Sequence, residues 1–318
     1  MLEKNNFLIF LALFTGFISA SPFLSGGGSL TSQGKSDLTV NFFYDQYTGF
    51  ADDNGIYSSF ASGESRLDYS FLFDLKWGSG RDSDIEIILP YRNYLYTPAN
   101  GPALSASGIG DLVIIGRSKA DQGKGQQGAL IVGLGVKIPT GKSIFQLDSG
   151  ALSTGTGTWD VGATMSMQEP NSGLLLYTDI SWWYRFGFNA EKFNGRDISS
   201  IKPGATGIKY MPGTLLKYDI GAELSLAKFL SLIGELNGEI YYENKAEYLN
   251  NGTDALTDLS NAGKPDFTLQ KSVKIKIIAG AKIYLNEKIA LGAGVSLPVS
   301  LVNTYGNLTY LAHLRLIF

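Results

Sequence analysis

Arg66-Leu-Asp-Tyr-Ser-Phe-Leu-Phe-Asp-Leu-Lys-Trp77 alternates almost without fault. Leu67, Tyr69, Phe71, Phe73, Leu75 and Trp77 are large and apolar. Arg66, Asp68, Ser70, Asp74 and Lys76 between them are polar or charged, with Leu72 as the exception. Side chains on a strand point to opposite faces with period two, so this segment has one greasy face and one wet face. It is also long enough to cross a bilayer, for which a tilted strand needs about 9–11 residues. A soluble sandwich shows the same alternation on shorter strands, with a less uniformly large apolar face. The rest of the chain decides between the two.

Both ends of the sequence point to a membrane. Lys4 precedes an apolar run from Phe7 to Ile18 and a small-residue exit at Ser19-Ala20. That run is too short for a spanning helix and fits a secretory signal, so we expect residues 1–20 to be a signal peptide cleaved after Ala20. Residues 21–36, rich in glycine and serine, are expected to be a flexible segment, either a tail or folded into the lumen. At the other end, Leu308, Tyr310, Ala312, Leu314, Leu316 and Phe318 share one face of Asn307–Phe318. This stretch resembles the carboxy-terminal strand by which outer-membrane barrels are recognised for assembly, with Tyr310, Leu316 and Phe318 as the signal residues. Cys is absent, which removes disulfides, thiolate metal sites and a lipid anchor.

Composition agrees with a transmembrane barrel. Gly 39, Tyr 17 and Phe 18 in 318 residues suit many strands, tight turns and aromatic belts. Mean hydropathy is near zero, as expected where lipid-facing and lumen-facing residues cancel along each strand. The net charge of −3 gives no reason to expect nucleic acid as a partner. Alternation predicts twelve strands, at 37–45, 65–77, 84–95, 110–119, 129–138, 158–168, 174–188, 214–226, 230–243, 267–285, 289–298 and 307–318. The connections alternate between short and long, with long loops at 46–64, 139–157, 189–213 and 244–266. Barrels have short periplasmic turns and longer outer loops, whereas a sandwich has no reason to alternate in this way. The expected fold is therefore an all-β, closed antiparallel barrel of about 12 strands over residues 37–318. Trp182, Tyr184, Phe186 and Phe188 would form an aromatic girdle at the outer rim, with Trp77 and Phe318 at the opposite one.

The same phasing places a charged, nearly neutral set of residues in the lumen. Candidate solute-path residues are Arg66, Asp68, Arg92, Asp111, Arg117 and Lys137 on the first strands, and Glu235, Glu239, Glu243, Lys274, Lys276 and Lys282 on later ones. The acidic group Glu235, Glu239 and Glu243 would face the three lysines across one strand interface. Such a field either flanks a solute path or forms a salt-bridged filling of a narrow barrel, and the sequence leaves both open.

Other motifs carry no chemistry. Gly135-Val-Lys-Ile-Pro-Thr-Gly141-Lys142-Ser143 has five residues between its glycines where a phosphate loop needs four. Asp52-Asp53-Asn54-Gly55 lacks the spacing and distal glutamate of a calcium loop and reads as a turn. The sole histidine, His313, has no serine partner and reads as a lumen wall residue. No acid–base–nucleophile set is visible, so neither enzymatic activity nor a cofactor or metal is expected.

Leu89-Pro90-Tyr91, Gly108-Ile-Gly-Asp111-Leu112 and Gly133-Leu-Gly-Val-Lys-Ile-Pro139-Thr-Gly141 resemble, in order and spacing, an outer-membrane transporter-like family called "MetA-pathway of phenol degradation". The match covers roughly residues 84–142. The resemblance implies passage of small compounds, often aromatic or hydrophobic, and carries Asp111 over as a polar lumen group at the outer mouth. The expected protein is thus an outer-membrane channel of a diderm bacterium for passive entry of small solutes. Its expected partners are membrane lipid, the barrel-assembly machinery and the solute. The alternative is a non-conducting structural or adhesin-like surface barrel.

Overall fold

The structure, a computed structural model, describes residues 30–121, 129–147, 152–171, 173–250, 252–262 and 271–318. The expected signal peptide lies outside these residues, as does most of the segment expected to follow it. In chain order the first elements are β1 (Ser36–Ala51), β2 (Tyr57–Ser59), β3 (Ser65–Gly80), β4 (Ser83–Thr97), β5 (Leu104–Ile109), β6 (Leu112–Asp121) and β7 (Ala129–Ile138). Next come β8 (Asp160–Asn171), β9 (Leu174–Arg185), β10 (Phe188–Ala190), β11 (Lys192–Phe193), β12 (Arg196–Asp197), α1 (Ile198–Ile201) and β13 (Ile208–Met211). The last are β14 (Leu215–Ala227), β15 (Leu230–Tyr241), β16 (Lys245–Tyr248), α2 (Leu256–Ala262), β17 (Ser272–Asn286), β18 (Ile289–Val302) and β19 (Thr304–Ile317).

Among the described residues, twelve of these strands form a closed antiparallel barrel. Each long strand pairs with its neighbours in sequence order, and β19 pairs with β1 to complete the circle. The seam runs from Asp37 opposite Ile317 to Ala51 opposite Thr304, and Ser36 and Phe318 exchange both backbone hydrogen bonds. Closure leaves none of the twelve barrel strands at an open edge, which a bilayer demands because its hydrocarbon offers no hydrogen-bond partner. The outward face is the apolar one, with Phe71, Phe73, Ile180, Leu236 and Ile277 exposed and Leu134 at 75%. Trp159, Trp182, Tyr184 and Phe186 are exposed near the long-loop end, and Trp77, Phe229 and Phe318 near the short-turn end. A band of this kind with rings at both rims belongs in a membrane, and the chain is an outer-membrane β-barrel.

Several strands differ from the sequence expectation. β1 runs on to Ala51 because a bulge at Thr48 breaks its alternation, and Gly49 then packs its backbone against Ser58 of β2. The strand expected at 110–119 is β6, and beyond a bend it continues outward as β5, in residues expected to be loop. β5 pairs with the outer part of β4, β6 pairs with the inner part, and the bend falls at Gly110-Asp111. Opposite it lies Pro90, which has no N–H to give to the ladder and whose carbonyl accepts from the Gly110 N–H at 2.7 Å. β18 and β19 meet at a tight turn where Asn303 adopts φ 49°, so the expected loop at 299–306 is largely strand. β9 ends at Arg185 and β15 at Tyr241, short of the positions expected.

The long loops hold more structure than their polar character suggested. β10, β13 and β16 form a three-stranded sheet, and β11 pairs with β12. Ile144, Phe145, Phe193, Ile198, Ile208, Tyr210, Tyr248 and Leu259 are buried together in an apolar core of their own. The described residues of loops 139–157, 189–213 and 244–266 thus build a packed cap at the outer end. Phe188, expected on the lipid-facing girdle, instead packs against this core, 5.0 Å from Phe145 ring to ring.

Candidate functional site: the barrel lumen

The lumen has two different halves. Towards the short turns it is filled by side chains. Arg117 donates from Nε and Nη2 to the two carboxylate oxygens of Asp84, at 2.8 and 2.7 Å, and its Nη1 lies 3.5 Å from Glu86. Lys76 sits between Asp74 at 3.3 Å and Glu86 at 3.9 Å. All five residues are buried. On the other wall Ile233, Ile278 and Leu311 form an apolar cluster with Phe43 against it. The Tyr177 hydroxyl donates to Glu235 at 3.0 Å, and His313 pairs with Asn41 at 2.8 Å. Residues 30–35 reach this end as well. The Thr31 N–H donates to Asp84 at 2.8 Å, and the Gly34 N–H to the Gly78 carbonyl at 3.0 Å.

Towards the long loops the lumen holds a cavity of about 330 Å³. Its wall carries an apolar shelf in which Ile115, Trp183 and Leu215 pack together with Ile88, Val113 and Tyr241. Around the shelf stand charged groups. Lys137 lies 2.6 Å from Asp160 and 3.5 Å from Asp111, and Arg185 lies 3.7 Å from Asp160. Lys217 lies 2.8 Å from Glu239. Arg92 is exposed to the lumen and donates to the Tyr94 hydroxyl at 2.6 Å. Part of the wall is a folded-in loop. Asp111 accepts from the backbone N–H groups of Gly141 (3.2 Å) and Thr156 (2.8 Å) and from the Thr156 hydroxyl (2.7 Å), which turns Thr154–Thr156 towards the cavity.

The residues expected along a solute path separate into groups. Arg92, Asp111, Arg117 and Lys137 line the cavity, though Asp111 is buried and engaged with the loop. Arg66 is buried between the rings of Tyr47 and Tyr305, 4.7 and 4.8 Å from their centroids, and Asp68 is buried beside it on β3. Glu235 is buried with Tyr177. Glu239 stands opposite both Lys217 and Lys274 in the ladder, yet its ion pair goes to Lys217. Lys274 lies over the Tyr47 ring at 5.5 Å, Lys276 contacts Thr309 at 3.2 Å and Asp45 at 3.9 Å, and Lys282 is buried. Glu243 lies beyond the end of β15 and is exposed, so it leaves the expected inward set. The single acid-against-base interface thus resolves into pairs with several different neighbours. Tyr310 and Phe318 are exposed on the outward face, and Leu316 is partly exposed.

The apolar shelf was not anticipated. Its signal was present as a set of exceptions: Ile88, Val113 and Ile115 fall on the face that elsewhere carries charge. Trp183 follows Trp182, so strand phasing must send one of the two rings inward.

No family model and no curated protein matches this sequence. Among solved structures, an outer membrane channel from Pseudomonas putida F1 superposes with a TM-score of 0.67 at 14% identity, over 91% of this chain and 97% of that one. The translocator domain of the autotransporter NalP from Neisseria meningitidis gives 0.42 at 14% identity, covering 88% of each chain. A FadL homologue from Pseudomonas aeruginosa gives 0.42 at 8% identity, over 89% of this chain and 90% of that one. The last two scores carry no argument. At 14% identity the first similarity speaks to the fold, and the fold it shares is the closed outer-membrane barrel described above.

Proposed function

We propose that this chain is a selective outer-membrane channel for small solutes, hydrophobic or aromatic compounds among them. The observation that carries this reading is the apolar shelf of Ile115, Trp183 and Leu215 in a lumen whose walls are otherwise charged. A general diffusion pore has no use for such a surface, whereas binding sites for small molecules combine apolar walls with a few placed polar groups. The likeness of residues 84–142 to a transporter-like family supports the same solute class. Because the short-turn half is filled, passage requires movement of side chains or of residues 30–35, so ion conductance at rest is low. Membrane lipid and the barrel-assembly machinery are the further partners of this reading, with Tyr310, Leu316 and Phe318 as the assembly residues.

The test is uptake of radiolabelled naphthalene by cells that carry or lack the protein. Carriers take it up faster, and Trp183→Arg, which puts a long cation onto the shelf, returns the rate to that of cells lacking the protein at equal outer-membrane amounts. Equal rates with and without the wild-type protein would overturn the reading. A second reading, a non-conducting structural or adhesin-like barrel, is favoured by the filled inner half and the packed cap. It gains if uptake is unchanged.

A further inference from the structure

The cations around the lumen cavity are not equivalent. Lys137, Lys217, Arg185 and Arg117 each stand within 4 Å of a carboxylate. Arg92 does not: among the described residues it makes no ion pair, and its recorded hydrogen bond goes from Nη1 to the neutral Tyr94 hydroxyl. It is also exposed to the lumen, on the cavity wall that holds Trp183 and Ile115. A guanidinium has five N–H donors in a planar fork that matches a carboxylate. One of the five is engaged with Tyr94, so the remaining edge can take an anion in bidentate fashion.

Resting on the reading of the cavity as a solute site, we propose that it binds an amphipathic monocarboxylate: the apolar body lies on the shelf formed by Trp183, Ile115 and Leu215, and the carboxylate is held by Arg92. The ion pairs fix which way round such a molecule sits. Asp179 and Asp219, opposite each other in the β9–β14 ladder, line the same cavity and offer a carboxylate no cation, and Arg117 beside them is taken by Asp84 and Glu86. Among the described cations lining the cavity, Arg92 is the one left for the carboxylate. A cavity of about 330 Å³ accommodates a single ring with a short chain, and an aromatic body gains from lying against the Trp183 indole.

The experiment is calorimetric titration of the purified full barrel in detergent with 4-phenylbutyrate and with 4-phenylbutanamide, its neutral isostere. The wild-type protein binds the acid saturably and about 10- to 100-fold more tightly than the amide, the range expected when a charged hydrogen bond replaces a neutral one. Arg92→Gln binds both compounds with the weaker affinity, while Arg92→Lys keeps part of the preference. Trp183→Ala weakens both compounds alike. A gel-mobility assay of the unheated barrel confirms that each variant is folded. Equal binding of acid and amide by the wild type would overturn the role of Arg92 and leave the apolar site intact. A preference that survives Arg92→Gln would do the same. Failure of the wild type to bind either compound would overturn this proposal and the solute site beneath it.

Discussion

Removing Arg117 tests whether the inner half of the lumen is packed protein or a watery passage. Its guanidinium makes a two-pronged contact with Asp84 at 2.8 and 2.7 Å and reaches Glu86 at 3.5 Å, and the side chains involved are at most 3% exposed. Arg117→Met keeps bulk and removes the charge, leaving two buried carboxylates without that partner. Breaking such a buried pair costs about 3–5 kcal/mol, because the surviving charge is stranded. Asp84 keeps its bond from Thr31 and Glu86 keeps Lys76 at 3.9 Å, which places the loss towards the lower end of that range. Adding Asp84→Leu removes the stranded carboxylate, so the double variant is more stable than the sum of the single losses predicts, by roughly 1–3 kcal/mol. Urea unfolding in micelles, followed by tryptophan fluorescence, measures all three variants. If this half of the lumen were hydrated, each single change would cost about 0–1 kcal/mol and the coupling would be smaller still. A loss below about 1 kcal/mol for Arg117→Met, together with steady ion conductance of the wild type in a planar bilayer, would refute the filled-lumen description.

Arginine in place of outward-facing Leu134 or Leu75 destabilises the barrel by about 2–4 kcal/mol if the site is near the midplane, and inward Ser70→Arg by less; micelle unfolding compares them, and equal losses on both faces would mean that the assignment of faces is wrong. Deleting Phe318, which is hydrogen-bonded to Ser36 at the seam, lowers outer-membrane levels while leaving export intact; blots of membrane fractions report it, and normal levels count against an assembly role. Phe193→Ala opens the centre of the cap at a cost of about 3–5 kcal/mol, seen as faster tryptic cleavage of the outer loops with barrel gel mobility unchanged. Burial pushes the Tyr210 hydroxyl in the cap up to about 12. A raised acid group holds its proton more tightly in the folded state, so cap stability falls as pH rises through about 10 towards 12. Protease resistance measured across that window falls in the wild type and is flatter in Tyr210→Phe.

The barrel was legible because a bilayer forces two signals onto the chain at once: alternation along each strand and unequal loops between them. What stayed hidden has identifiable causes. The bulge at Thr48 exchanges the faces of β1, so Gly49–Ala51 no longer continues the earlier pattern. β5 stayed hidden in what reads as a loop between the strands expected at 84–95 and 110–119, because the bend at Gly110-Asp111 interrupts the alternation opposite Pro90. The cap escaped because each of its loops is polar on average. Its core appears only when Phe145, Phe193 and Tyr248, which lie far apart in sequence, come together. Inward charges were found by phase, but their partners were not. Glu239 has a lysine opposite on each side, and phase alone cannot say that it turns to Lys217 and leaves Lys274 to the Tyr47 ring.

Register, once available, gives the glycines of this chain a purpose in the lumen. Trp183, Gly162, Gly135 and Ile115 form one row across four strands. A side chain at either glycine would collide with the Trp183 indole, or with Ile115 in the case of Gly135. Their absence lets the ring lie flat across two strands and reach Ile115, which creates the apolar shelf. A second row, Tyr177, Gly221 and Glu235, works the same way nearer the short turns. There the tyrosine ring crosses the glycine and delivers its hydroxyl to the carboxylate beyond. An isolated glycine weakens a strand, but a glycine beneath an aromatic ring recovers packing and shields the ladder. In both rows, glycine decides whether an aromatic ring stands up into the lumen or lies along its wall. The first row leaves open space above its ring, which is part of the lumen cavity. The second places its ring beside the buried carboxylates and helps to fill the inner half. The boundary between open cavity and filled floor is therefore set largely by which aromatic rings have glycines beside them and by what stands at the far end of each row.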